Sequence, residues 1–155
     1  MDDFDSRAYR DTMGQYCTGV VIVTGNEDGT LVGFAAQSFV SLSLDPPLIA
    51  ICPAKTSTSW PRIRATGHFC INVLADDQEA VSEEFAQSGR AADVPWNTNT
   101  TSAPILGGAI AYVECALDAE HDAGDHTVAV GRVVAFETLR QDARPLIYFR
   151  GEYGL

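Results

Sequence analysis

The chain has 155 residues, of which 46% are hydrophobic and 20% charged, a composition typical of an ordinary globular protein. This length predicts a single domain over residues 1–155 with a sizeable core. The formal net charge of −11 argues against binding to the phosphate backbone of nucleic acids and indicates an acidic, solvated surface.

The amino terminus and the cysteines bear on where the protein works. Residues 1–5 are acidic where a secretory signal would be basic, and no apolar run approaches the roughly 20 residues that span a bilayer. The four cysteines (Cys17, Cys52, Cys70 and Cys115) are widely spaced, with no C-x-x-C pair. We therefore expect a reduced, cytoplasmic protein with no membrane partner.

The first predicted element is a short helix that runs to Tyr16, with Asp5 or Ser6 as its N-cap. Tyr9, Met13 and Tyr16 follow the i, i+4, i+7 spacing and therefore share one helical face. We expect this apolar face to pack into the core.

Short β-strands then dominate the pattern. Residues 20–25 and 31–36 flank an Asp28-Gly29 pair, which is a strong hairpin signal. The stretch 33–48 leads through Asp45-Pro46-Pro47 into a strand over residues 48–52. This succession of short strands and tight links is typical of an antiparallel barrel.

The remainder of the chain continues mainly as β structure. A helix is predicted from residue 61, with Ser59 as N-cap and Pro61 in its first turn, and another from Asp76 or Asp77 to residue 86. Further strands are expected at residues 68–74, 109–119, 127–138 and 146–149, the last closing the barrel, whereas residues 88–103 are expected to form a loop. The prediction is mainly β, with about seven strands and two or three short helices. No G-x-G-x-x-G motif follows a strand, which disfavours a Rossmann site.

The stretch 33–48 is the first candidate ligand site. It carries small and hydroxyl side chains where a core strand usually carries bulky ones, and Ala35, Ala36, Gln37 and Ser38 are consecutive. A backbone lined in this way leaves room for a flat ligand. We interpret that ligand as a flavin ring.

Three other segments are candidates for binding. Residues 56–59 cluster hydroxyl groups ahead of a helix, between Lys55 and Arg62; they form either a phosphate site or a solvated N-cap. His126 follows a Gly124-Asp125 turn and either is solvated or bonds a substrate amide or phosphate. His121 lies five residues before it, without a third ligand nearby in the sequence, so we expect no metal site.

The aromatic residues near the carboxyl terminus form the last candidate. Phe149 and Tyr153 flank a glycine turn, so they either stack on a planar ring or pack the end of the barrel. No nucleophile elbow, paired-carboxylate motif or P-loop is visible, which leaves no hydrolytic machinery to assign.

Taken together, these segments resemble the short-chain flavin reductase family, the NAD(P)H-dependent reductase components of two-component flavin monooxygenases. The matching segments run in the family's order and span nearly the whole chain: residues 13–20, 33–39, 41–48, 69–74, 124–127 and 145–153. Within that family, the chain looks most like the actinobacterial reductases of secosteroid and phenol hydroxylases and of antibiotic-pathway hydroxylases.

The resemblance implies a split β-barrel flavin-binding fold, an antiparallel Greek-key barrel, that forms a homodimer with the flavin near the subunit interface. It also implies that the isoalloxazine ring is lined by Ala35, Ala36, Gln37, Ser38, Phe39, Ser41 and Leu42. By the same likeness, the phosphate side is held by Thr56, Ser57, Thr58 and Arg62, and the rest of the cofactor lies near Phe85 and Ala86. His126, Tyr153 and Arg10 match positions that meet the nicotinamide nucleotide.

Two segments depart from the family pattern. Many members have Thr-Ala-Asn where this chain has Ala35-Ala36-Gln37, which removes a hydroxyl and keeps an amide. Many also carry Asp-Lys-Phe-Ala-Gly after the second helix, whereas residues 89–96 contain no Lys-Phe pair.

The predicted function is hydride transfer from NADH, or NADPH, to FAD or FMN, which supplies reduced flavin to a separate monooxygenase acting on an aromatic, phenolic or natural-product substrate. No second basic cluster for a 2′-phosphate is evident, which favours NADH. His126 is expected to orient the nucleotide. The alternatives are a non-catalytic flavin- or haem-binding split barrel and an enzyme similar to pyridoxamine-phosphate oxidase.

Overall fold

A computed structural model describes residues 4–87 and 93–155. Within these residues there are three short helices: α1 (Ser6–Met13), α2 (Trp60–Thr66) and α3 (Glu79–Ala86). The longer strands are β2 (Val21–Glu27), β3 (Thr30–Ala36), β4 (Phe39–Leu44), β5 (Pro47–Ile51), β6 (His68–Val73), β9 (Ala111–Ala123) and β10 (His126–Thr138). The shorter ones are β1 (Thr18–Gly19), β7 (Trp96–Asn97), β8 (Ile105–Leu106), β11 (Ile147–Phe149) and β12 (Glu152–Tyr153). None of the described helices has the length and apolarity needed to cross a membrane.

The seven longer strands form one antiparallel sheet in the order β3-β2-β6-β9-β10-β5-β4. The predicted hairpin is confirmed, because β2 and β3 pair across a two-residue turn at Asp28 and Gly29, whose φ angles are 51° and 89°. Strands β3 and β4 are the two edges of this sheet although they follow each other in sequence. The residues between them therefore cross the open side of the barrel.

The carboxyl-terminal strand does not close the main sheet as the sequence predicted. Instead β11 pairs with β1 and β12 in a separate three-stranded sheet. This short sheet lies beside the end of β3 and places Tyr148 and Tyr153 against the second core cluster.

The core lies on both sides of the β2 region. One cluster packs α2 against the sheet, and in it Trp60 meets Phe34 and Phe69 edge-on, at centroid distances of 6.3 and 5.6 Å. The other packs α3 on β3 through Phe85. A Cβ atom at Gly33 would lie 2.7 Å from the Phe85 ring, so glycine at this position allows α3 to approach the strand closely.

The apolar face of α1 does not pack into the core as predicted. Tyr9 and Met13 are each 52% exposed and Tyr16 is 80% exposed, and α1 contains no buried residue. Asp5 accepts the Arg7 and Ala8 N–H groups as the N-cap, and the helix ends at Met13, before Tyr16. An i, i+4, i+7 pattern identifies an apolar face but does not specify what covers it.

Smaller differences concern caps and loops. Ser59 occupies the N-cap position of α2, but the side chain that accepts a helix N–H group is Ser57, from Trp60 at 3.1 Å. Helix α3 begins at Glu79, after Asp76 and Asp77, because the Gln78 side chain accepts the Ala75 N–H group and Gln78 becomes the N-cap. The predicted loop over 88–103 contains strand β7, which pairs with β8, and its residues 88–92 lie outside the described ones.

Candidate active site

Three adjoining cavities form a groove on the open side of the barrel, which we call the central groove. Their volumes are about 450, 240 and 150 Å³. They share lining residues, among them Ala35 in all three, so they are continuous. The predicted site residues that line the central groove are Ala35, Ala36, Gln37, Ser38, Thr56, Ser57, Thr58, Phe85, Ala86, His126 and Tyr153.

The floor of the central groove is flat because its side chains are short. Ala35, Ala36 and Ala54 are half-buried, and Ala86 ends α3 above them. Since β3 is an edge strand, the outer edge of its backbone has no neighbouring strand in the sheet. Ser38 fixes the crossing segment, because its hydroxyl accepts the Cys52 N–H group at 3.0 Å. This arrangement fits a planar ring that meets main-chain donors and acceptors at its edge.

Hydroxyl groups line one end of the central groove. Thr56, Ser57 and Thr58 border the 240 Å³ cavity together with Phe34 and Phe85. The flanking cations are engaged elsewhere: Lys55 pairs with Asp122 at 3.2 Å, and Arg62 pairs with Glu27 at 2.6 Å. This end is therefore built from hydroxyl groups rather than from cations.

His126 is the first residue of β10 and borders the 450 Å³ cavity. Its Nδ1 lies 2.8 Å from the Asp125 carboxylate, and this hydrogen bond holds the pKa of Asp125 below its usual range. An ionised carboxylate only accepts, so Nδ1 donates in this hydrogen bond and Nε2 is left for a ligand in the cavity. Among the described residues, no three potential ligands are arranged to hold a metal ion.

Tyr153 closes the side of the central groove nearest the carboxyl terminus. Its hydroxyl lies 2.8 Å from the Ser82 hydroxyl of α3, and its ring meets Tyr148 edge-to-face at 5.2 Å. Both tyrosines line the 150 Å³ cavity. The sequence left open whether Phe149 and Tyr153 pack or bind. Tyr153 lines a cavity as well as packing, together with Tyr148, whereas Phe149 lines neither the central groove nor the cavity beside α1.

A second cavity of about 720 Å³ lies between α1 and the β11–β12 turn, and we call it the α1 cleft. It contains Arg10, the remaining predicted nucleotide contact, and Arg150 faces it from the turn. Gln37 and Tyr148 line both the α1 cleft and the 150 Å³ cavity, so the α1 cleft opens into the central groove at that point.

Four of the predicted site residues line neither the central groove nor the α1 cleft. Phe39 packs against the core, and Ser41 and Leu42 are exposed on the edge strand β4. Arg62 donates from Nε and from a terminal nitrogen to the Glu27 carboxylate, which holds the pKa of Glu27 below its usual range. In the single chain, the structure brings these four residues to neither the floor nor the hydroxyl end of the central groove.

Several lining residues were not predicted as site residues, notably Gln15, Thr18, Tyr148 and Arg150. All four lie inside segments that carried the family resemblance, which was the available signal. The contact that assembles them joins distant parts of the chain, because the Arg150 N–H group donates to the Gly14 carbonyl at 3.0 Å.

These features define a barrel with a groove for a flat ligand, and the family comparison agrees. The flavin reductase like domain family matches residues 13–154, so the chain belongs to this family. The predicted family and the predicted split-barrel fold, mainly antiparallel β with short helices, are thereby confirmed.

Individual relatives are similar over nearly the whole chain. The chain is 46% identical over 151 residues to HsaB of Rhodococcus jostii, the reductase subunit of a flavin-dependent monooxygenase, covering 96% of this chain and 77% of that protein. It is 40% identical to the FMN reductase (NADH) SmoA of Agrobacterium fabrum, covering 97% of this chain and 86% of that protein. The structure of the NADH:FAD oxidoreductase SgcE6 of Streptomyces globisporus, in complex with NAD and FAD fragments, matches with a TM-score of 0.89 at 32% identity, covering 97% and 92% of the two chains.

Proposed function

We propose that this protein is an NADH-dependent flavin reductase that reduces FAD or FMN and supplies the reduced flavin to a separate monooxygenase. The observation that carries the proposal is the central groove, whose alanine floor runs from a hydroxyl-lined end to the mouth of the α1 cleft. A groove of this shape accommodates a flavin ring and leaves space beside it for a second nucleotide.

The residues present fit a flavin without any acid–base group. Ala35 and Ala36 would lie against the ring, the outer edge of β3 would face its polar side, and Thr56, Ser57 and Thr58 would meet the ribityl phosphate. When both cofactors are bound, the chemistry they supply is hydride transfer between the nicotinamide and flavin rings. The protein's task is then to hold the rings in contact and exclude water.

His126 would orient the nicotinamide nucleotide. Its Nδ1 donates to Asp125, so Nε2 would hydrogen-bond the amide of the nicotinamide, which has both a donor and an acceptor. Tyr153 would border the same space, held by its hydrogen bond to Ser82. Neither residue is required to transfer a proton.

The names of the relatives support the assignment of the cofactors. One is named for FMN and NADH, and one structure contains NAD and FAD fragments. A relative that is a reductase subunit of a flavin-dependent monooxygenase supports the role of supplying an oxygenase. We propose NADH as the electron donor, and the assay below decides between the two flavins.

The test is steady-state oxidation of NADH and NADPH by the pure protein, with FMN and with FAD, followed at 340 nm. We expect turnover with NADH and at least one flavin. If neither flavin supports turnover, the proposed activity is wrong. Tight flavin binding without NADH oxidation would favour a flavin carrier, and oxidation of an amine phosphate with consumption of O₂ would favour the oxidase alternative.

We also propose that the protein is a homodimer built on the outer face of β4 and β10. Five large apolar side chains are exposed there: Val40, Leu42, Leu44, Val134 and Phe136, with Leu44 at 92% and Phe136 at 76%. These strands belong to one edge of the sheet, since β5 pairs with both. An exposed apolar set of this kind is typical of a protein interface. In such a dimer Ser41 and Leu42 lie at the interface, where the family resemblance places the flavin.

The dimer is tested by light scattering after size-exclusion chromatography. We expect a dimer for the wild type and a monomer for Phe136→Glu, because an unpaired charge would be buried at the interface. Leu155→Glu introduces the same charge at a 94% exposed position and serves as the control. A monomeric wild type contradicts the proposal.

A further inference from the structure

We infer that the α1 cleft binds the adenosine diphosphate half of NADH, with Arg150 and Arg10 as its phosphate-binding residues. The inference rests on the proposed function, because it assumes that the nicotinamide ring lies in the central groove. It adds a second compartment to the site and assigns a role to Arg150.

Arg150 occupies a backbone conformation that arginine rarely adopts. It has φ of 53° and is followed by Gly151 at φ of 78°, in a two-residue turn between Phe149 and Glu152. Such a turn favours Asn, Asp or Gly at its first position, and local chemistry does not favour Arg there. Strained residues of this kind concentrate at ligand sites, where the side chain rather than the backbone determines the choice.

The guanidinium group of Arg150 is positioned but not neutralised. Its Nε donates to the Gln15 side-chain oxygen at 3.0 Å, and its Cζ lies 4.7 Å from the Phe149 ring centroid. Within residues 4–87 and 93–155, neither Arg150 nor Arg10 forms an ion pair with a carboxylate, although the chain has 21 acidic residues and 10 basic ones. Asp11 also lines the α1 cleft, so two cations face one anion.

Two further features fit a nucleotide rather than a simple anion. The Thr18 Oγ1 atom is buried without a hydrogen-bond partner among the described residues, and Thr18 lines the α1 cleft. A buried hydroxyl group normally has a partner, so Thr18 is free to bond a ligand that reaches it from the α1 cleft. Tyr16, which is 80% exposed, and Met13 present apolar surface in the same cavity, which suits a purine base.

The position of the α1 cleft favours NADH over FAD as the source of the diphosphate. The hydroxyl-lined cavity reaches β3 at Phe34 and Ala35, whereas the α1 cleft meets the central groove at Gln37. A flavin whose phosphate lies at Thr56–Thr58 therefore directs any adenylate away from the α1 cleft. The end of the central groove at Gln37 is therefore left for the second nucleotide, NADH.

ADP-ribose binding, measured by isothermal titration calorimetry, tests this inference without requiring hydride transfer. We expect Arg150→Asn and Arg10→Gln each to weaken binding by about tenfold or more, because each removes a charge-assisted hydrogen bond to phosphate. Arg7→Gln removes the same charge from an exposed position on α1 that does not line the α1 cleft, and is expected to have no effect. Unchanged affinity in both cleft variants would overturn the inference.

Arg150→Asn also separates binding from folding. Asparagine suits the turn better than arginine, so the melting temperature is expected to be maintained while ADP-ribose binding is lost. If this variant does not fold, Arg10→Gln decides. A wild type that oxidises NADH with flavin but does not bind ADP-ribose refutes the α1 cleft alone, whereas one that binds ADP-ribose but never reduces flavin refutes the proposed function alone.

Two comparisons identify the source of the diphosphate. In both cleft variants kcat/KM is expected to fall for NADH and to stay unchanged for reduced nicotinamide mononucleotide, which lacks the adenylate half. The Kd values of FAD and FMN are expected to be unaffected. If FAD binding weakens while kcat/KM for NADH is maintained, the α1 cleft takes the flavin adenylate and our assignment is wrong.

Discussion

The central groove and the α1 cleft meet at Gln37, but they are lined by different kinds of side chain. The central groove has a floor of alanines with hydroxyl groups at one end, and its neighbouring cations Lys55 and Arg62 are paired away from it. The α1 cleft carries two arginines without carboxylate partners among the described residues. We therefore expect the central groove to select ligands by shape and the α1 cleft to select them by charge.

This difference suggests how the protein divides its work. A ring that must lie flat against another ring requires a floor without bulky or charged side chains, whereas a diphosphate requires fixed cations. In the proposed arrangement, the central groove would orient the nicotinamide end while the α1 cleft would hold the adenylate end. Substitutions in one compartment should therefore leave the other compartment unaffected.

The largest expected effect comes from filling the central groove. Ala86→Trp places a bulky ring at the last residue of α3, above the floor, and is expected to weaken FMN binding by at least about a hundredfold. ADP-ribose binding should be unchanged because Ala86 does not line the α1 cleft. Fluorescence quenching of FMN measures the first affinity and calorimetry the second.

Ala80→Trp is the matched control, since Ala80 is exposed on the same helix and lines neither cavity. It should leave both affinities unchanged. If Ala86→Trp binds FMN normally, the flavin does not occupy the central groove.

A smaller effect is expected at the point where the nucleotide enters the central groove. His126→Ala should raise the KM for NADH by about five- to tenfold, which corresponds to the loss of one hydrogen bond, and the KM for flavin by less. His121→Ala changes an exposed histidine on the same hairpin that does not border the central groove, and should change neither KM. Equal increases for both substrates would remove His126 from the nucleotide site.

The smallest effect is expected at Arg62, which tests whether cations contribute to the central groove. Because Arg62 pairs with Glu27, Arg62→Gln should change the Kd of FMN by less than about twofold, the range of a peripheral charge. A tenfold loss of FMN affinity would return Arg62 to the phosphate site.

Arg62→Gln is also expected to change the stability of the protein in a pH-dependent way, and the pKa of Glu27 determines the direction of that change. The pKa of Glu27 is lowered in the folded state by the hydrogen bond from Arg62. The pair therefore stabilises the protein above the ordinary carboxyl pKa of about 4.3, and this contribution is lost as the pH falls through the folded-state pKa. The difference in melting temperature between wild type and Arg62→Gln should be small at pH 7 and disappear in acid.

The sequence predicted the central groove much better than the α1 cleft, for a physical reason. The floor of the central groove comes from two short segments, residues 34–38 and 52–58, whose small side chains are visible as a run. The α1 cleft requires α1 to lie against a turn near the carboxyl terminus, joined by the Arg150 N–H bond to Gly14. No local pattern encodes that contact.

Two other predictions depend on distant contacts in the same way. The apolar stripe of Tyr9, Met13 and Tyr16 was visible in the sequence, but its exposure depends on which surface α1 meets. Arg62 lies close to the hydroxyl cluster in sequence, but its partner Glu27 is 35 positions away. By contrast the Asp28-Gly29 hairpin was predicted correctly because a two-residue turn is determined locally.

The most direct test of this account is a crystal structure of the protein grown with FMN and ADP-ribose together. We predict that the flavin ring lies against Ala35 and Ala36, with its phosphate at Thr56–Thr58, and that the diphosphate of ADP-ribose lies between Arg10 and Arg150. Diphosphate density at Thr56–Thr58, or a flavin ring in the α1 cleft, would contradict the division of the site into two compartments.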